Sequence, residues 1–142
     1  MNRGKLAAFA LSASLAAPPA FAGELSIANA WSRSTPPGVT VGVAYFTLKN
    51  DTGKSDRLLK ITSPAASKVR VHRTETLDGI ARMREVAVLH VDAGQTLELK
   101  PNGMHVMLVG LKQPLVEARA FNLELLFENA GVRKVRVAVR KP

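Results

Sequence analysis

The chain has 142 residues, carries 20 Lys and Arg against 11 Asp and Glu for a formal charge of +9, and contains no cysteine. Without a thiol there is no disulfide framework, no thiolate nucleophile and no blue-copper centre, whose essential ligand is a cysteine sulfur. The length suits one domain rather than several.

The chain opens with Arg3 and Lys5 ahead of an apolar run from Leu6 to Leu15, which is too short to span a bilayer and ends in Ala20-Phe21-Ala22. Small residues flanking a larger one form a signal-peptidase site, so residues 1–22 are expected to be a cleaved signal peptide and residues 23–142 the mature domain. No later run is apolar enough for a membrane helix, and no stable membrane insertion is expected. The predicted location is the periplasm. Removing Arg3 and Lys5 leaves 18 basic against 11 acidic side chains, a formal +7. The basic residues are spread along strands with few aromatics between them, which argues against nucleic acid as a partner.

From Gly23 onward the pattern is one of short β-segments with turn chemistry between them. Strands are predicted over Val39 to Leu48, ending at "NDTGKSD", then over Val69 to Thr76, Ile80 to Val91 and Thr96 to Lys100. The turn "PNG" leads into Met104 to Val109, and Phe121 to Phe127 and Val132 to Val139 flank the hairpin turn "ENAG". Seven or more such strands in one domain predict an all-β, antiparallel sandwich or Greek-key barrel.

Asp78-Gly79 is a strong signal for a two-residue hairpin loop, because a type I′ turn needs positive φ at both central positions. With those residues as the loop, Leu77 pairs with Ile80 and Thr74 with Met83. His72 then shares a sheet face with Met83 as a diagonal neighbour, with Cβ atoms roughly 7 Å apart. In the segment Met104 to Val109 the period-2 rule sends His105 and Met107 to one face and Met104 to the other.

Two His and Met pairs suggest one site. Imidazole and thioether are neutral, soft to borderline donors that suit Cu(I) better than zinc, magnesium or calcium. Neutral donors leave the ion's charge uncompensated, which favours exchange over permanent retention. A lone Met on a strand is usually core filler, and a lone His is usually hydrogen-bonded structure. Here all three methionines beyond residue 22 and two of the three histidines fall in hairpin and strand positions whose facing can be foreseen, and Met83, Met107 and the two histidines are expected to converge. His90 has no Met neighbour and is expected to be structural or exposed.

The spacing from His72 over ten residues to Met83, then over twenty-one to His105-x-Met107, resembles the H(x10)M(x21)HxM pattern of the PCuAC periplasmic copper chaperones. The resemblance extends to "AWSRSTPPGVTVGVAYFTLKN" from Ala30, "GIARMREV" from Gly79, "LELKPNGMHVMLVGLKQPL" from Leu97 and "FENAG" near the end. It implies a cupredoxin-like β-sandwich without blue-copper ligands, with one Cu(I) per chain on His72, Met83, His105 and Met107. It also implies delivery of copper to the copper-centre subunit of a cytochrome c oxidase, with a Sco-type thiol protein as a candidate second partner. Arg73 stands where some relatives carry a further Met, so no fifth sulfur is counted. The chain stops at Arg140-Lys141-Pro142, so a His- and Met-rich tail site is not expected. A monomer that is not an enzyme is predicted. The competing functions are a metal-free β-sandwich scaffold or adhesion domain and, less favoured, a copper enzyme.

Overall fold

The computed structural model describes residues 23–142; the predicted signal peptide lies outside the described residues. Ten strands form, β1 (Leu25–Arg33), β2 (Val41–Asn50), β3 (Asp56–Thr62), β4 (Ala66–Leu77), β5 (Ile80–Glu85), β6 (Leu89–Val91), β7 (Thr96–Glu98), β8 (Met104–Leu111), β9 (Ala120–Phe127) and β10 (Gly131–Arg140). Their order across the sheet is β5-β4-β8-β2-β1-β10-β9-β3-β6, with β7 pairing separately with β2. No helix occurs among the described residues.

The alternating strands supply one inward face throughout. Phe46, Leu48, Val106, Leu108, Leu123, Leu125, Phe127 and Val137 are essentially inaccessible, and residues from both ends of the strand order join one hydrophobic cluster. A flat sheet of this width could not gather its edges into one core, so the sheet curls and packs its two halves face to face as a cupredoxin-like sandwich.

The expected all-antiparallel arrangement needs one correction. β1 pairs in parallel with β10, Trp31 opposite Ala138 and Arg33 opposite Arg140, and the sheet is mixed. The single strand expected over Ile80 to Val91 is two. After Val86, whose N–H still donates to the carbonyl of Val71 on β4 at 2.8 Å, the chain leaves the sheet at one edge, and β6 rejoins it at the opposite edge beside β3. β1 and β3 were not foreseen as strands.

Two turns fix the geometry that matters. Asp78 (φ 51°) and Gly79 (φ 76°) both take positive φ, and the β4–β5 register that follows is the expected one, with Leu77 opposite Ile80 and Thr74 opposite Met83. The "ENAG" turn is held by Asp56, which is 3% exposed and whose carboxylate accepts from the backbone N–H groups of Asn129 (2.9 Å), Ala130 (2.8 Å) and Arg57 (2.7 Å). Burial pushes the Asp56 carboxyl up, but those donors and the nearby Arg133 charge outweigh it and hold the group below its usual value.

Candidate metal centre

β4 is the strand on which the site is organised, because it has β5 on one side and β8 on the other. Its inward residues Val69 and Val71 are buried, so Arg70, His72 and Thr74 stand on the outer face. His72 lies opposite His105 of β8 on one side and opposite Glu85 of β5 on the other. Directly opposed residues in an antiparallel pair share a face, so Glu85, His72 and His105 form one row across three strands. The adjoining row contains Arg70, Met107 and, on β2, Val43.

The imidazole rings of His72 and His105 are 6.0 Å apart between centroids and 21° from parallel. His105 is only 5% exposed although it stands on the outer face. Its Nδ1 lies 3.1 Å from the carbonyl oxygen of Gly103 in the "PNG" turn. A carbonyl can only accept, so Nδ1 carries the proton and donates, leaving the lone pair on Nε2. That Nε2 is buried with no hydrogen-bond partner, and so is Nδ1 of His72. Buried polar atoms are normally paired, and an unpaired one costs about 1–3 kcal/mol. Two such atoms on neighbouring rings, both able to present a lone pair, suit a shared cation that neither strand supplies.

The sulfur donors are placed unequally. Met107 is half-buried, next to His105 along β8 and in the row adjoining the histidines. Met83 lies on the edge strand, diagonal to His72 and 61% exposed, on the far side of the histidine row from Met107. The hairpin must curl over the histidines for all four side chains to meet one ion. Met104 points the other way and packs against the hydrophobic core, as strand alternation requires. His90 is exposed on β6, at the opposite edge of the sheet.

Among the described residues, no three His, Asp or Glu side chains converge as a metal cluster. The four candidate donors themselves are two imidazole nitrogens and two thioether sulfurs, all neutral. A cavity of about 480 Å³, lined by Lys112, Leu115, Arg119 and Phe121 among others, lies beyond the far end of β8 from His105 and includes none of the four candidate donors. The candidate donors stand on the outer face of the sheet, with one nitrogen of each histidine buried and Met83 exposed. Period-2 counting from the Asp78-Gly79 turn could also have found Arg70 and Glu85, which share the face of His72 and which sequence reasoning passed over.

The sequence matches, over residues 25–139, the family described as "Putative lipoprotein LpqE-like". A "Putative lipoprotein" of Leifsonia xyli subsp. xyli is 33% identical over 131 residues, covering 92% of this chain and 78% of that protein. Among solved structures, the CuI form of DR1885 from Deinococcus radiodurans is similar with a TM-score of 0.69 and 31% identity, over 86% of this chain and 82% of that one. The copper-bound PCuAC domain of PmoF2 has the same fold, with a TM-score of 0.72 at 24% identity over 85% of this chain and 96% of that domain. The chain therefore belongs to the LpqE-like family, the family of the PCuAC domains.

Proposed function

We propose that this protein is a periplasmic copper carrier that holds one Cu(I) on His72, Met83, His105 and Met107 and passes it to a cytochrome c oxidase copper centre, with a Sco-type thiol protein as a second partner. The observation that carries the reading is the pair of buried, unpartnered nitrogens, His72 Nδ1 and His105 Nε2, on facing rings. The 31% identity to a protein solved in its CuI form and the lipoprotein descriptions of relatives support copper as the cargo and an extracytoplasmic location.

The donor set explains carriage better than catalysis. Four neutral donors fill the coordination of Cu(I) and leave no position for a substrate, whereas catalytic metals keep one open. The same donors leave the positive charge of the cargo uncompensated, so each bond can be exchanged for a stronger one on the acceptor. Met83, the most exposed donor, is the first to be replaced, and the deep-set His105 is the last.

Competition against a coloured Cu(I) chelator tests this. Residues 23–142 should withdraw one equivalent of Cu(I), and His105→Ala should withdraw far less while unfolding as the wild type does. A chelator left saturated by the wild type would sink the carrier reading and leave a metal-free scaffold. Delivery is tested in cells: loss of the gene should lower oxidase activity when copper is scarce, and unchanged activity there would remove the oxidase as acceptor.

A further inference from the structure

Among the described residues, Glu85 is the carboxylate that the strand register sets beside a candidate donor, directly opposite His72 on the same face. Two histidines and a carboxylate make a set that binds zinc or Cu(II) well. Yet no such trio converges among the described residues. The cause is visible one row away. Arg70, opposite Met107 and two residues before His72, places its Nε 3.1 Å from Glu85 Oε1. Its Nη1 also donates to the carbonyl oxygen of Val69 at 3.2 Å, which steadies the guanidinium. Both side chains border a cleft of about 180 Å³ where β5 peels away from β4, a cleft that neither His72 nor His105 lines. The carboxylate is thereby turned aside from the histidine nitrogens.

We propose that Arg70 is a selectivity-setting, positioning residue: by holding Glu85 outward it keeps an oxygen ligand out of the site and preserves an all-neutral donor set for Cu(I) against divalent ions. This rests on the Cu(I) reading of the site. The ion pair is half exposed, with 43% of the Arg70 and 51% of the Glu85 side chain accessible, so its contribution to stability is small and its removal leaves the fold in place. What changes is the ligand inventory. A freed Glu85 can swing toward His72 across one strand spacing, adding a charged oxygen donor that strengthens divalent binding far more than Cu(I) binding. Specificity here is a difference between two affinities, obtained by withholding a ligand from the wrong ion.

The test uses zinc, which has a single oxidation state, as the probe. Zn(II) and Cu(I) affinities are measured by dye and chelator competition for the wild type, Arg70→Leu, Glu85→Gln and the double variant, with urea unfolding to show that each is folded. Arg70→Leu, which adds no donor of its own, should bind Zn(II) tighter by on the order of tenfold, the scale at which neighbours of metal ligands act. Its Cu(I) affinity should stay close to wild type. The gain should vanish in the double variant, and Glu85→Gln alone should match the wild type. An Arg70→Leu protein with wild-type Zn(II) affinity overturns the proposal, and so does a gain that survives Glu85→Gln, since the new ligand would not be Glu85. A wild type that takes no Cu(I) would sink the carrier reading, while the zinc comparison would still decide the role of Arg70.

Discussion

Met107 and Met104 lie three residues apart on β8 and project to opposite faces, Met107 beside the histidine row and Met104 against the hydrophobic core. Truncating them should therefore do opposite things. Met107→Ala should lower Cu(I) affinity at least about tenfold, with urea unfolding little changed. Met104→Ala should leave the affinity alone and lower stability by about 1–2 kcal/mol, below the range for a fully buried methionine because Met104 is only half-buried. Chelator competition and urea unfolding on both variants check the contrast.

The two histidines should present different nitrogens. His105 has committed its Nδ1 proton to Gly103, so Nε2 is its donor atom; His72 offers the buried Nδ1. In ¹⁵N-resolved NMR, Cu(I) addition should move the Nε2 resonance of His105 and the Nδ1 resonance of His72. The proton on Nδ1 of His105 should persist in both states. Movement of Nδ1 rather than Nε2 in His105 would show that the Gly103 bond breaks on loading.

β5 should report loading through its motion. All six of its residues are exposed and it forms an edge of the sheet, which makes it a low-stability segment open to local unfolding. Its amides should exchange with solvent faster than those of β8 in the apo protein. Cu(I) should slow them by drawing Met83 onto the histidines, and Met83→Ala should abolish that slowing.

Asp56 makes stability depend on acid. Its folded-state pKa is depressed, so its contribution is fully present above the ordinary carboxylate value of 3.8 and is lost as pH falls through that value toward the lower folded one. Asp56→Ala removes the acceptor of three backbone N–H groups and should cost about 2–3 kcal/mol at pH 7. The difference between wild type and variant in urea unfolding should narrow below about pH 4. A difference independent of pH would mean that the charge is not what the turn uses.

How far the sequence could be read depended on where alternation survives. The β4–β5 register followed from Asp78-Gly79 alone, because a two-residue loop fixes every pair beyond it. β1 and β3 escaped notice for a shared reason. In β1 the register shifts between Ala28 and Trp31, where Asn29 takes a φ of 53°, and in β3 it shifts between Leu58 and Lys60. A bulge puts two consecutive residues on the same side, so Leu59 and Lys60 are both exposed between buried Leu58 and Ile61 and the period of two is lost. The run from Ile80 to Val91 misled in the other direction, since it holds no Gly, Pro, Asn or Asp to mark a turn and so cannot show that the chain crosses from one sheet edge to the other within it. The Arg70–Glu85 pair was in principle countable from the same turn, but ion pairs depend on side-chain reach as well as register.

The parallel pairing of β1 with β10 places the first and last strands side by side near the middle of the sheet. Every candidate donor has been synthesised by Met107, yet the seam joining the two halves of the sheet waits for residues 131–140. A chain cut short before β10 would not lose an edge. It would be left as two half-sheets with open, unpaired seams, each a template for adhesion to another chain. Folding of this kind is governed by contacts distant in sequence and is correspondingly slow.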